Sequence, residues 1–325
     1  MPPRERLRAW LPRRVPVPLV GLAVTLLVLI AAMTIAFPEF ATFANGQVIA
    51  TGFMPEALMS LGMTAVIVSG GIDLSVGAVL PFTAILAGLM LHAGVSVPLA
   101  IGTALICSAV VGLLNAALSS ALRVHPFIVT LATMLVLKGV NLVVTGGAPV
   151  SGFPTGFTML GQGTLGGVPA PLIVFTVLAT VFGVALRHHR FWQQVYLIGG
   201  NPRAAQLAGV PVDRILLVVY AVCALMAGVA GVLVAAAYGS VSAGFGQNSE
   251  LKVITAVVLG GANLNGGTGS IGGTLLGVLL LAVLYDAFTM TGVSTYWQDV
   301  VSGAMVLGSV LAAELLNRRR LLTAS

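Results

Sequence analysis

The sequence has few charged residues. Of its 325 residues, 15 are basic and 9 are acidic, which is 7% of the chain, whereas soluble domains carry about 25%. With 58% hydrophobic residues and a mean hydropathy of +1.06, the charges are too few to cover a water-exposed surface. This composition excludes a soluble enzyme, a secreted disulfide-rich module and a disordered chain, and it indicates a protein of the lipid bilayer.

The sequence also lacks the motifs of several site types. Its two cysteines, Cys107 and Cys223, lie in apolar runs, so they form neither a disulfide framework nor a metal cluster. No GxxxxGK[ST] stretch occurs, and neither of the two lysines, Lys138 and Lys252, follows such a loop; a Walker-type ATP site is therefore excluded. HExxH, GxSxG and a catalytic dyad are absent too, and we expect no catalytic, cofactor-binding or metal site on this chain.

Long apolar runs predict an all-α, polytopic membrane protein, because a spanning helix needs about 20 apolar residues. Transmembrane strands would instead alternate in segments of about ten residues. We predict about ten membrane helices, at residues 17–37, 48–70, 75–93, 97–122, 127–145, 168–187, 215–237, 250–262, 269–289 and 299–317. The eighth segment is too short to cross as a straight helix, so we expect it to be broken or partly inserted.

The basic residues indicate the orientation. If the N-terminus is cytoplasmic and crossings alternate, thirteen of the fifteen basic residues fall on the cytoplasmic side, namely Arg4, Arg6, Arg8, Arg13, Arg14, Arg123, Arg187, Arg190, Arg203, Arg214, Arg318, Arg319 and Arg320. This positive-inside pattern favours ten crossings and two cytoplasmic tails, 1–16 and 318–325, around one transmembrane domain, 17–317. Because these arginines flank spans, lipid headgroups explain the net charge of +6 better than nucleic acid does.

The longest predicted cytoplasmic loop, 188–214, contains the signals of a short helix. Gly199-Gly200-Asn201-Pro202 indicates a turn, after which Asn201 can cap a helix whose first residue is Pro202. Gly209, with Pro211 behind it, ends that helix. Such a helix on the cytoplasmic face suits docking to a partner, and a solvated connector is the alternative.

Charged residues inside predicted spans need a reason, since each costs about 2.5–3.5 kcal/mol on insertion. Glu56, Lys138 and Asp286 fall in predicted spans, but Asp73, within GGIDLSVG at 70–77, is the clearest case. The glycines free the backbone there, and Asp or Ser can cap a new helix. We consider two interpretations equally, a kink that lines a polar pathway and a capped helix start near the cytoplasmic interface.

The stretch Gly267-Thr268-Gly269-Ser270-Ile271-Gly272 matches GxGxxG, the pattern of dinucleotide sites. Such a site needs a preceding strand within a βαβ unit, whereas this stretch joins two predicted membrane segments. Gly269, Gly273 and Gly277 are spaced four apart, which predicts a smooth stripe for close helix packing instead.

Four further stretches occur in a distinctive order: GGIDLSVGAVL at 70–80, VHPFIVTLATMLVLKGV at 124–140, VYLIGGNPRAAQLAGVPV at 195–212 and ELKVITAVVLGGANLNGGTGSIGGTLLGVLLLAVL at 250–284. Together they resemble the permease subunits of bacterial ABC importers for monosaccharides of the ribose, xylose and galactose type. The resemblance covers most of the chain after about residue 55. Alternatives are a permease of the same architecture for a nucleoside or a branched-chain amino acid, and a secondary transporter or channel.

The resemblance implies an ABC importer permease fold in the bacterial inner membrane. It implies that two identical or homologous permeases pair, that cytoplasmic ATPases hold ATP and Mg²⁺, and that a periplasmic or lipid-anchored binding protein delivers the monosaccharide. The helix predicted in the 188–214 loop resembles the coupling helix of the family. On this basis the candidate ATPase-coupling residues are Gly199, Gly200, Asn201, Pro202, Ala204, Ala205 and Gly209.

The polar residues in the predicted spans supply a second candidate set. Residues that could line the translocation pathway or hold helix breaks are Asp73, Ser75, Asn115, Thr130, Thr133, Asn141 and Glu250. Lys252 departs from the family pattern, which commonly has an Asp there; it could pair with Glu250 or alter a contact at the outer face.

Overall fold

A computed structural model describes residues 17–294, 296–298, 300, 301, 303–305, 307 and 308. Both predicted tails, 1–16 and 318–325, lie outside the described residues, as does much of the tenth predicted span, 299–317. The described residues between 296 and 308 have helical backbone.

The described chain is mostly helical, in agreement with the predicted class. Its helices are α1 (Val17–Ala36), α2 (Phe43–Gly52), α3 (Met54–Val68), α4 (Val76–His92), α5 (Val97–Leu122), α6 (Pro126–Thr145), α7 (Thr155–Gln162), α8 (Ala170–His188), α9 (Arg190–Gly200), α10 (Pro202–Leu207), α11 (Val212–Tyr238), α12 (Ser249–Leu259) and α13 (Ile271–Met290). A single 3₁₀ turn, Pro38–Ala41, links α1 to α2 within these ranges.

Short strands close two of the loops. β1 (Val150–Ser151) pairs antiparallel with β4 (Ser240–Val241), with Val150 opposite Val241. β2 (Thr164–Leu165) pairs antiparallel with β3 (Val168–Pro169), with Thr164 opposite Pro169. Each strand has two residues, so the strands tie loops together and add no sheet layer to the helical bundle.

Six described helices are long and apolar enough to cross a membrane, namely α1, α5, α6, α8, α11 and α13. A seventh span results if α2 and α3 count as one. The predicted span at 97–122 coincides with α5, whereas α4 has 17 residues and α12 has 11. The count of ten membrane helices therefore stays a prediction.

The predicted span at 48–70 is broken. α2 ends at Gly52 and α3 begins at Met54, and the helix axis bends by 49° between them. Pro55 lies in the first turn of α3, where a backbone N–H has no partner within the helix, so proline loses no hydrogen bond there. Because it has no N–H, Pro55 cannot donate the hydrogen bond that would continue α2. The break places Glu56 in the first turn of α3.

α11 lies at the centre of the bundle and packs on α3, α4 and α5. Glycines allow these helices to approach backbone to backbone. A Cβ at Gly62 of α3 would lie 2.6 Å from the Cα of Cys223, and a Cβ at Gly112 of α5 would overlap the carbonyl of Tyr220. Because lipid removes the hydrophobic drive between helices, such close contacts supply much of their association.

We predict that Gly112→Ala destabilises the fold by about 1–3 kcal/mol, the range for overpacked cores. The added methyl group meets the α11 backbone, which no side-chain rotation can relieve. Gly102→Ala is the matched control, since it lies on the same helix with no atom within 4 Å of an added Cβ. Thermal unfolding in detergent should show a lower midpoint for Gly112→Ala alone; equal midpoints would contradict the close packing.

Candidate functional site

Two short helices, α9 and α10, occupy the predicted 188–214 loop. The Nδ1 of His189 accepts a hydrogen bond from the N–H of Phe191 at 3.3 Å and caps α9. Asn201 caps α10 as the sequence predicts, because its side-chain oxygen accepts from the N–H of Ala204 at 2.9 Å. Gly199 and Gly200, predicted in a turn, are instead the last two residues of α9.

The predicted coupling residues divide between surface and interior. Gly200, Asn201, Pro202, Ala204 and Gly209 are exposed, and Gly209 has a φ of +82° just after α10. Ala205 and Gly199 are buried. Sequence reasoning missed Leu207, whose side chain is 85% exposed on α10, since no sequence signal separates it from the many core leucines.

A buried hydrogen-bond chain holds the backbone break between α3 and α4. Oδ1 of Asp73 accepts from the N–H of Ser75 at 2.9 Å and from its hydroxyl at 2.6 Å. The Ser75 hydroxyl oxygen accepts from Nδ2 of Asn115 at 2.9 Å, and Oδ1 of Asn115 accepts from Thr133 at 2.7 Å. These hydrogen bonds thus join the break to α5 and α6.

Two more residues of the predicted pathway set form hydrogen bonds to the backbone near this break. The hydroxyl of Thr130 donates to the carbonyl of Ile72 at 3.3 Å, and Nδ2 of Asn141 donates to the carbonyl of Ala78 at 3.3 Å. Both side chains are buried. These bonds favour the interpretation in which the polar residues fix a helix break; a role in transport stays a prediction.

A cavity of about 800 Å³ lies at the far ends of α3 and α12 from α10. We call it the main cavity. Its polar lining includes Thr51, Glu56, Gln162, Thr164, Gln247, Ser249 and Lys252. The rings of Tyr238 and Phe245, 5.4 Å apart, supply an aromatic wall. Among the described residues that line it, none belongs to the predicted pathway set.

The charged groups near the main cavity each have a neighbour. Oε1 of Glu56 accepts from the Ser249 hydroxyl at 3.1 Å, and the ammonium of Lys252 lies 5.2 Å from the ring centroid of Tyr285. Glu250 pairs with Lys138 at 3.7 Å, and the absent side chain of Gly77 leaves room for its carboxylate. Glu250 thus has its ion-pair partner on α6, and Lys252 faces a ring.

Only part of the cavity lining could be predicted from the sequence. Glu56 and Lys252 stood out as charges in or beside apolar runs. Gln162, Gln247 and the aromatic pair gave no signal, because loops and helix ends distant in the chain bring them together.

Two glycines of the predicted stripe, Gly273 and Gly277, lie on α13, whereas the third, Gly269, lies in the loop before this helix. A Cβ at Gly273 would overlap the carbonyl of Gly260, and a Cβ at Gly277 would overlap that of Ala256. Gly269 has a φ of +157° and would place a Cβ 2.6 Å from the Val68 side chain. The first two contacts hold α13 against the end of α12.

This arrangement is that of a polytopic membrane transport protein. A bundle with helices long enough to span a membrane carries a polar cavity at one end and a capped, exposed helix at the other. Over residues 47–310 the chain matches the family described as branched-chain amino acid transport system, permease component, and it belongs to that family.

Relatives of the chain include import permeases for two solutes. The ribose import permease protein RbsC of Escherichia coli K12 is 38% identical over 295 residues, which cover 89% of this chain and 91% of RbsC. RbsC of Bacillus subtilis 168 is 38% identical over 88% of this chain and 89% of its own. The autoinducer 2 import system permease protein LsrD of Yersinia enterocolitica serotype O:8 is 37% identical over 83% of each chain. No solved structure matches significantly.

We predict that Asn115→Ala lowers stability by about 1–3 kcal/mol, the cost of leaving buried polar groups unpaired. The substitution removes the donor to Ser75 and the acceptor for Thr133. Thr180→Ala serves as control, because this exposed hydroxyl bonds only the carbonyl of Thr176 in its own helix. An unchanged unfolding midpoint for Asn115→Ala would show that the chain of bonds does not hold the break.

Proposed function

We propose that the chain is the membrane permease of a binding-protein-dependent ABC importer that carries a monosaccharide into a bacterial cell. The observation that carries this proposal is α10. It is a capped helix with an exposed alanine and an exposed leucine, at the opposite end of the bundle from a polar cavity. A secondary transporter or channel works without an ATPase and needs no surface to bind one.

The positive-inside rule orients the bundle. Arg190 and Arg203 lie in α9 and α10, and the Ser120–Asp213 hydrogen bond of 2.6 Å brings the end of α5, with Arg123, beside the start of α11. We therefore place α10 in the cytoplasm and the main cavity toward the outside. Ten membrane helices with both termini in the cytoplasm of the inner membrane complete this proposal.

The two ends of the helical bundle indicate the partners of the permease. α10 docks into a cytoplasmic ATPase, which holds ATP and Mg²⁺, so that this chain itself carries no cofactor and performs no hydrolysis. A periplasmic or lipid-anchored binding protein delivers the solute at the cavity end. The permease pairs with a second copy or with a homologous permease, and apolar side chains on α5 and α6, such as Ile106 and Val136, face that partner or membrane lipids.

The lining of the main cavity suits a neutral polyhydroxylated solute. The carboxamide of Gln247 can both donate and accept hydrogen bonds, whereas Nε2 of Gln162 donates to the carbonyl of Ala237 at 3.1 Å and leaves its oxygen to accept. The Tyr238–Phe245 wall offers apolar contact, and this combination of polar and apolar groups is common in ligand pockets. Glu56 and Lys252, the charged residues of the lining, lie against Ser249 and the Tyr285 ring, and the other polar residues that line the cavity carry neutral amides and hydroxyls. A nucleoside or a branched-chain amino acid is the alternative solute.

The direct test is uptake into proteoliposomes that contain this chain with its ATPase and binding protein. Labelled monosaccharides, nucleosides and branched-chain amino acids are offered with and without internal ATP. Uptake of one sugar that requires both ATP and the binding protein is the expected result. Uptake by this chain alone would overturn the importer assignment, and ATP-dependent uptake of another solute would overturn the substrate class.

We predict that Ala204→Trp abolishes uptake while the chain remains folded in the membrane, because an indole at this exposed position blocks close approach of the ATPase. Ala121→Trp, at an exposed alanine near the same end of α5, is the matched control and should retain uptake. Co-purification of the ATPase and sugar uptake are measured together. Normal assembly and uptake by Ala204→Trp would refute docking at α10.

We predict that Gln247→Ala slows sugar uptake by up to about tenfold, since one hydrogen bond to a desolvated polar group contributes about 1.5 kcal/mol or less. Gln247 lines both the main cavity and a smaller cavity beside Lys138. Gln47→Ala, at a glutamine of α2 outside the cavity lining, should transport at the wild-type rate. Equal rates for both variants, in complexes assembled to equal extent, would remove the main cavity from the pathway.

A further inference from the structure

Three separate segments meet behind α10 through backbone atoms alone. The N–H of Gly267, in the loop between α12 and α13, donates to the carbonyl of Val68, the last residue of α3, at 2.8 Å. A Cβ at Gly199 of α9 would overlap that same carbonyl and lie 2.5 Å from the Gly267 nitrogen. A Cβ at Gly266 would lie 2.8 Å from the Cα of Gly199 and 2.9 Å from that of Gly70. We call these five residues the glycine junction.

The junction holds α9, and α10 with it, against the bundle. Its contacts join backbone to backbone, so no side-chain rotation can loosen them. The hydroxyl of Tyr196, one turn before Gly199 on α9, donates to the carbonyl of Gly269 at 3.1 Å. Asn201 links the two short helices directly, because its N–H donates to Leu197 and its side chain caps α10. Displacement of α10 must therefore displace the junction.

Two helices lead from the junction to the main cavity. α3 ends at Val68 in the junction and has Glu56 in its first turn, about 18 Å away at 1.5 Å per residue. α12 ends at Leu259, just before the junction loop, and has Ser249 and Lys252 in its first turn. The Glu56–Ser249 hydrogen bond joins α3 and α12 again at the cavity. The two helices are thus tied together at both ends.

We infer that the glycine junction transmits the movement of α10 to the wall of the main cavity, with Gly199 as the positioning residue on which transmission depends. This inference rests on the proposed function, in which an ATPase moves α10. The junction makes α9, α10, α3 and α12 one mechanical unit, so closure of the ATPases changes the shape of the cavity.

Gly199→Ala tests the inference. The methyl group must separate α9 from the Val68 carbonyl, while the exposed face of α10 that meets the ATPase is left unaltered. Gly272→Ala is the matched control, since this exposed glycine at the same end of the bundle has no atom within 4 Å of an added Cβ. The readouts are co-purified ATPase, sugar uptake and the ATP hydrolysed per sugar imported.

Gly199 is buried behind α10 and is not part of its exposed face, so we expect Gly199→Ala to bind the ATPase at the wild-type level. We expect it to hydrolyse about tenfold more ATP per sugar, within the roughly 5–150-fold range of coupling effects. Gly272→Ala should match the wild type. An unchanged ratio in Gly199→Ala would overturn the inference, whereas a wild type that shows no ATP-dependent uptake would overturn the proposed function instead.

Tyr196→Phe is the second variant and covers the case in which Gly199→Ala does not assemble. It removes only the hydroxyl that donates to Gly269, so a folded complex is expected. A raised ratio of ATP to sugar in an assembled Tyr196→Phe complex supports the junction, because a purely structural loss would lower the amount of complex and leave the ratio alone. An unchanged ratio in assembled Tyr196→Phe would overturn the inference.

Discussion

Close approach of helix backbones is the constraint on which this structure depends. A bundle in lipid gains little from burying apolar surface, so its helices must associate through contacts at short range. Glycine supplies them wherever helices cross most closely, as at Gly62 and Gly112 against α11 and at Gly273 and Gly277 against α12. The same constraint makes the helix contacts rigid, because backbone atoms in contact cannot rearrange as flexible side chains can. In the mechanism we infer, a displacement of α10 at one end therefore reaches the cavity wall at the other.

The two ends differ in chemistry, and the difference fits import. At the α10 end, caps bond side chains to helix ends, and the Asp73–Ser75–Asn115–Thr133 hydrogen bonds fix the break between α3 and α4. At the cavity end, polar side chains line an open space instead of bonding one another throughout. Polar residues buried in hydrogen bonds therefore hold the shape at one end, whereas polar residues at the other end border open space.

Much of this could be predicted from local sequence. Apolar length located long helices, as at 97–122, and the Asn201-Pro202 signal located α10, because a run of residues or a cap depends only on near neighbours. Pro55 is a local signal for the break at Phe53, but the packing of Gly199 and most of the cavity lining could not be predicted. Pro55 gave no sign that Glu56 would face a cavity, and Gly199 and Gly200 look alike in sequence although one is packed against Val68 and the other is open. Such differences arise from contacts between residues far apart in the chain.

The most direct test is a distance measured by pulsed electron paramagnetic resonance between spin labels at Gln193→Cys on α9 and Thr268→Cys on the junction loop. Both positions are exposed. Cys107 and Cys223 are replaced first, so that only the two introduced cysteines carry labels. The labelled protein is diluted with unlabelled protein, so that the measured distances are those within one chain. If α9 and α10 move with the junction as one unit, the distance stays the same in the nucleotide-free and ATP-trapped transporter. A second population, or a shift of about one helical pitch, roughly 5 Å, would contradict the account.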